Sequence, residues 1–132
     1  MAATSRTTLS STRSVVDTSA VSYSRALRGR LDAHAHLLGL LGGVDALAMP
    51  TTGIIAPVID DEIVLKPAIT YTFLANYAGF PAVTVPCGFV DGLPVGLHLI
   101  GRPGTESMLM ALASFYEEHV GWTTSPDMTA GL

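Results

Sequence analysis

Cys87 and His98 are the nearest approach in this sequence to a nucleophile and its base. Cys87 sits between Pro86 and Gly88 at the end of an apolar run, and His98 lies on the run that follows. A reactive thiol needs a base within hydrogen-bond reach. The competing expectation for a free cysteine is a small buried hydrophobe. Serine chemistry has less to work with. No serine stands between Ser24 and Ser107, and Ser107 has no glycine-rich elbow around it, so helping to cap a helix is its simplest role. Lys66, the only lysine, precedes Pro67 and reads as a solvated charge. His34 and His36 are two apart on a helical stretch and point in different directions. No acid accompanies a histidine at ligand spacing, and Asp60-Asp61-Glu62 reads as a solvated loop, so no metal is expected. Gly101-Arg-Pro-Gly104 could offer backbone N–H groups to an anion. It lacks the phosphate-loop and dinucleotide patterns, which leaves a turn and no expected cofactor.

The elements that would position these residues follow from periodicity. Ala20 to Leu41 predicts a helix with Tyr23, Leu27, Leu31, Ala35 and Leu38 as its apolar stripe, Arg25, Arg28 and Arg30 beside it, and Gly42-Gly43 as its stop. Ala46 to Met49 predicts a buried strand closed by Pro50, and Pro57 and Pro67 bracket a connection. Thr70 to Ala78 predicts a helix capped by Gly79. Ala82 to Val85 predicts a strand ended by Pro86, and Val95 to Ile100 a second one. Asp91-Gly92 between them marks an antiparallel hairpin. Gly96 inside a strand predicts close approach of another backbone or a helix. Thr105 to about Val120 predicts a last helix, with Thr105 as cap, Glu106 at its positive end and His119 near its negative end. Met108, Leu109, Leu112, Ala113, Phe115 and Tyr116 give it an apolar stripe. Alternating helices and strands make the class α/β.

Composition bounds the function classes. The 132 residues carry a net charge of -4, with 48% hydrophobic and 14% charged residues. Mean hydropathy is +0.44. That argues against global disorder and against a nucleic-acid binder with a basic face. One cysteine excludes an internal disulfide framework. No uninterrupted run of about 18 apolar residues predicts a membrane span. The N-terminal residues are rich in Ser and Thr, with Arg6 and Arg13 and no acid before residue 15. They read as a disordered tail (1–14), with an organelle transit peptide as the alternative. Residues 123–132 read as a flexible tail, and the expected location is the cytoplasm.

Residues 70–101 and the segments around them resemble the C-terminal region of the amidase signature family. The resemblance rests on Asn76-Tyr-Ala-Gly79-Phe-Pro81-Ala-Val-Thr-Val-Pro86-Cys-Gly88, then Gly92-Leu-Pro94-Val-Gly96 with Gly101, then Glu106 and Glu117. Upstream, Asp45-Ala-Leu-Ala-Met-Pro50-Thr51 is similar to another family element, and Tyr23 to Arg30 to the helix before it. The matching span, 15–122, is most of the chain. The resemblance implies part of an α/β/α fold, with about three mixed strands flanked by helices. It implies carboxamide hydrolysis in intact relatives through a Ser–cis-Ser–Lys triad, with lysine acting through the bridging serine and backbone N–H groups holding the oxyanion. That triad and its Gly/Ser-rich loop lie N-terminal to the matching region in relatives. Lys66 is in the wrong segment to be the family lysine, so no catalytic residue is carried over. What the region could supply is structural support and one wall of a substrate pocket. The loop after Met49 and the helix with Thr70, Phe73 and Asn76 are the expected wall, against the simpler roles of packing and capping.

Three readings follow. The first is a C-terminal amidase fragment, inactive alone, associating with the missing N-terminal portion or with itself. The second is a stand-alone structural or interaction module derived from an amidase. The third is a small cysteine hydrolase built on Cys87 and His98. The first is favoured, because three strands alone would expose edges and apolar faces. The resemblance covers general amidases and tRNA-linked amidotransferase subunits alike.

Overall fold

The computed structural model describes residues 18–58 and 65–121. The two expected tails and the Asp60-Asp61-Glu62 cluster lie outside the described residues. Helix α1 (Ala20–Leu40) starts at Ser19, whose Oγ accepts the Ser22 N–H at 3.1 Å. One such cap satisfies one of the four N–H groups a helix start leaves open. A 3-10 turn (Leu41–Gly43) leads into β1 (Ala46–Pro50). Then come α2 (Leu65–Ala78), β2 (Ala82–Val90), β3 (Leu93–Gly101) and α3 (Glu106–Val120). Helix α2 begins earlier than the apolar spacing predicts. Pro67 lies in its first turn, where a missing N–H costs little, so the proline belongs to the helix rather than to the connection.

The sheet has the order β1-β3-β2 and is antiparallel throughout. Three strands are as expected; the mixed pairing is not seen among the described residues. Asp91 (φ 52°) and Gly92 (φ 77°) make the two-residue turn between β2 and β3. Positive φ at both positions matches the twist of a tight hairpin. Pro86 does not end β2, which runs on to Val90. Two facts permit this. β2 is an edge strand, where a missing N–H is tolerated. The register also shifts between Pro86↔Gly96 and Gly88↔Val95, so Cys87 is the extra residue of a bulge.

Register assigns side chains to faces. Leu47 pairs with Ile100, Met49 with His98 and Thr84 with His98, so these share one face. Helices α1 and α2 cover it: Leu37, Leu41, Ala75, Ala78, Phe80 and Ile100 form one buried cluster. Two hydrogen bonds join the helices to each other and to the turn beyond. Tyr77 Oη donates to the Ala26 carbonyl at 2.9 Å, and His34 Nδ1 lies 2.9 Å from the Ala78 carbonyl. Helix α3 lies on the other face through Leu109 and Ala113. Gly101 makes that packing possible. A Cβ there would stand 2.5 Å from Thr105 Oγ1 and 3.0 Å from Leu109 Cγ. The result is three layers, helices on both faces of the sheet.

Two expectations about the helices fail. The α1 stripe of Tyr23, Leu27, Leu31 and Leu38 is exposed; Leu31 keeps 70% and Tyr23 61% of its surface. Leu37 and Leu41, on the adjoining face, are fully buried instead. Thr105 does not cap α3 with its side chain; its Oγ1 donates to the Arg102 carbonyl at 2.7 Å. At the other end Gly79 (φ 78°) turns the chain out of α2 as expected. No helix among the described residues is long and apolar enough to cross a membrane.

Candidate functional site

A concave feature lies where β1 runs out into its loop. It is an apolar cleft of about 530 Å³, bounded by Ala48, Pro50, Ile54, Ile55, Cys87, Val95 and Leu97. That is within the size of small-molecule pockets, about 300–1,000 Å³. Local chemistry fixes its rim. Thr51 N–H donates to the Gly96 carbonyl at 2.9 Å, extending β1 by one bond. Thr52 Oγ1 donates to the Ile54 carbonyl at 2.7 Å and tightens the turn. Gly53 N–H donates to the Pro67 carbonyl at 3.0 Å, and a Cβ on Gly53 would lie 2.9 Å from that same oxygen. Only glycine lets the loop close onto the start of α2.

Beside the cleft a polar chain crosses the sheet. Thr51 Oγ1 donates to Thr84 Oγ1 at 3.3 Å, and Thr84 Oγ1 lies 3.2 Å from His98 Nδ1. Gly96 makes this crossing possible: a Cβ there would stand 2.6 Å from Thr51 Oγ1 and 2.7 Å from Thr84 Cγ2. The close approach predicted at Gly96 is therefore real, but its neighbours are two threonine side chains rather than a helix. With Thr51 donating, Thr84 has its own proton to give to His98 Nδ1. A neutral imidazole then carries its proton on Nε2. His98 Nε2 is buried and has no hydrogen-bond partner among the described residues. Burial lowers the His98 pKa below the ordinary histidine value, so the neutral ring is favoured.

The cysteine-hydrolase pair is not assembled. His98 sits opposite Thr84, three residues back along β2 from Cys87, or about 10 Å at the usual rise. Its Nδ1 is committed to Thr84, while Cys87 turns into the apolar cleft. The other candidates disperse. Ser107 lies on the first turn of α3, exposed. His34 engages Ala78 and packs on Phe80, while His119 folds back on the Phe115 carbonyl at 2.7 Å. Arg102, in the strand-to-helix turn, donates from Nε to the Leu41 carbonyl at 3.0 Å. It ties that turn to the end of α1, where a cation is favoured. Thr70, Phe73 and Asn76 lie on one exposed side of α2, outside the cleft lining. Thr70 Oγ1 donates to the Lys66 carbonyl, Asn76 Nδ2 to the Thr72 carbonyl, and Phe73 stacks on Tyr77. Spacing along the sequence points neither to the cleft nor to the threonine–histidine chain. A glycine inside a strand, flanked by threonines on adjacent segments, is the signal that could find them.

The family model described as Amidase matches residues 4–110. This chain belongs to the amidase signature family. Among curated members, it is 44% identical over 111 residues to the A subunit of the glutamyl-tRNA(Gln) amidotransferase of Chloroflexus aggregans. That match covers 80% of this chain and 23% of the relative. It is 35% identical over 113 residues to a fatty acid amide hydrolase of Arabidopsis thaliana, covering 78% of this chain and 18% of that one. A solved amidase structure superimposes with a TM-score of 0.74 at 26% identity, over 79% of this chain and 26% of the other. The chain thus spans about a quarter or less of the relatives and the solved amidase it matches. The amidase match runs through β1, the cleft loop and the hairpin, the elements that build the candidate site.

Proposed function

We propose that this chain is the C-terminal part of an amidase signature hydrolase and is inactive on its own. One observation carries the reading: the match covers 80% of this chain but only 23% of the relative's length. In this reading the catalytic triad belongs to the remaining portion. That portion would attack the carboxamide carbon, stabilise the oxyanion and release the amine. This chain contributes the hairpin, β1 and the apolar cleft as a wall against the acyl side of an amide. Thr70, Phe73 and Asn76 form a second wall, for which their exposure on α2 leaves them available. Burying an apolar acyl group in such a cleft stabilises binding by about 25 cal/mol per Å². No catalytic group is needed here for that role. The place of action in this reading is the cytoplasm, with which a single cysteine is compatible.

The test is amide turnover by the pure 132-residue chain, read as ammonia release from glutamine and from simple aliphatic and aromatic carboxamides. No turnover above buffer is expected. Turnover abolished by Cys87→Ala or Ser107→Ala would overturn the reading.

A further inference from the structure

Among the described residues His98 is the one polar side chain in the buried class, with 5% of its surface exposed. Its surroundings are unequal. Met49 stands opposite it on β1, and Ile100 lies two residues on along the same face, both packed with the α1/α2 cluster. Toward the other end of β3 comes Gly96, which has no side chain to close the face. There the side chains of Thr51 and Thr84 stand between the ring and water; Thr84 is exposed and Thr51 half-buried. A ring that gains a proton carries an N–H on both nitrogens. Nδ1 has Thr84, whereas Nε2 has no partner among the described residues. A counter-ion is missing as well. Asp32, Asp45, Asp91, Glu106, Glu117 and Glu118, the carboxylates of the described residues, are all exposed. The covering helices bring no anion. Helix α1 turns His34 and Arg30 to the end of α2, where His34 is held by the Ala78 carbonyl and Arg30 lies beside Gly79. Helix α2 brings Tyr71, on the side of Leu74, Ala75 and Ala78, and Tyr77, held by the Ala26 carbonyl, while Lys66 is exposed. β1 carries no titratable side chain, and Cys87 of β2 turns into the cleft on the opposite face. The acids and His119 of α3 belong to that opposite face too. Burial is thus what lowers the His98 pKa, with no neighbouring charge involved.

We propose that the Thr51–Thr84 pair is a proton-operated gate: when His98 takes up a proton, its ring swings out between the two threonines to water, and the turn after β1 moves aside with Thr51. A charged imidazole with one orphan N–H and no counter-ion is costly to keep buried. The exit past Met49 or Ile100 would break the packed cluster, whereas the exit past the threonines breaks one hydrogen-bond chain. Thr51 also holds β3 through its N–H on the Gly96 carbonyl, so displacing it releases that bond. The same turn carries Thr52 and Gly53, which bound the apolar cleft, so the cleft changes shape as the gate opens. A buried histidine on a two-state segment is a common way to convert pH into a local rearrangement. The direction is set by the lowered pKa: the closed form holds above the ordinary histidine value, and opening grows as pH falls below it. The gate does not rest on the fragment reading, since no catalytic group takes part in it.

The test is amide hydrogen exchange of the full chain by NMR as a function of pH, corrected for intrinsic exchange rates, with the His98 ring protons followed in the same samples. The Thr51 amide is expected to be protected at neutral pH and to lose protection as the His98 ring titrates. One linked proton allows a loss of up to about tenfold per pH unit between the closed and open pKa values. Leu99 and Ile100 keep their protection through that window, because the packed end of β3 stays closed. His98→Gln can still meet Thr84 but cannot charge, so its Thr51 protection should be independent of pH. Thr84→Val removes the chain without touching the ring, and its Thr51 amide should exchange faster already at neutral pH. Either variant alone decides the matter if the other does not fold, as judged by protection at Leu99 and Ile100. Thr51 protection that ignores the His98 titration overturns the proposal, as does a pH-dependent loss that persists in His98→Gln. Unprotected Thr51 in the wild type at neutral pH overturns it too. Simultaneous loss at Thr51, Leu99 and Ile100 overturns it in favour of global acid unfolding.

Discussion

The two faces of the sheet are built from the same hairpin and differ in what they bury. On the α1/α2 face, Ile100 is fully buried among Leu37, Leu41, Ala75, Ala78 and Phe80. The same face then turns polar within two residues of β3, at His98, and carries the Thr51–Thr84–His98 chain. On the α3 face, Leu99, Leu109 and Ala113 are buried near one end, while Leu97 and Val95 open into the cleft. Each face thus has a packed half and a half available for other work. The packed halves coincide at the Gly101 end of β3, and the available halves at the Gly96 end. Stability and binding are separated along one strand rather than between two elements.

That separation can be broken by substitution, and the largest effect should come from the packed end. Ile100→Ala is expected to cost about 2–5 kcal/mol, measured by urea unfolding, because a fully buried side chain leaves a cavity. Leu97→Ala at the cleft should cost less than half as much. Equal losses would show that the two ends of β3 are not distinct. Gly101→Ala should come next, at about 1–3 kcal/mol, since its methyl group would meet Thr105 and Leu109 of α3. Thermal unfolding measures it, and a neutral result would mean that α3 can slide outward freely. A third prediction concerns the polar half. The folded-state pKa of His98 lies below its unfolded value. Its contribution to stability is therefore present above the unfolded pKa and lost as pH falls through the window between the two values. The difference in unfolding free energy between wild type and His98→Gln should change across that window and level off above it. A constant difference would remove His98 as the titrating group. The smallest effect should be Thr51→Val, about 0.5–1.5 kcal/mol for one hydrogen bond, because Thr51 is only partly buried.

Local signals carry most of the fold. Asp91-Gly92, Gly79 and the β-branched runs specify their turns and strands through neighbours a few residues away, and the structure forms each of them. Where expectation and structure part, tertiary context is the reason. Pro86 stops a central strand but not an edge strand, and no local pattern says which strand is the edge. The α1 stripe is apolar as its spacing says, yet its orientation depends on which partner covers it, and Leu37 rather than Leu31 meets the core. The candidate site is the least legible part. Cys87 and His98 are close in sequence, but the register sets His98 against Thr84 and the bulge turns Cys87 into the cleft. Thr51 and Thr84 join only because Gly96 stands between them, a relation among two strands and the loop after β1 that spacing along one chain does not encode.

The hairpin turn at Asp91-Gly92 also bears on the time course of folding. β2 and β3 can zip from that turn outward, whereas β1 must bring Ala46 back across the whole intervening chain to meet Gly101. Closing a long loop carries an entropic cost that a two-residue turn avoids. The expected chronology is hairpin first, α3 folding onto its freshly formed back, and β1 last. Pulsed amide exchange during refolding would read it out, with Leu99 protected before Leu47. Simultaneous protection of the two would show instead that the sheet assembles in one step.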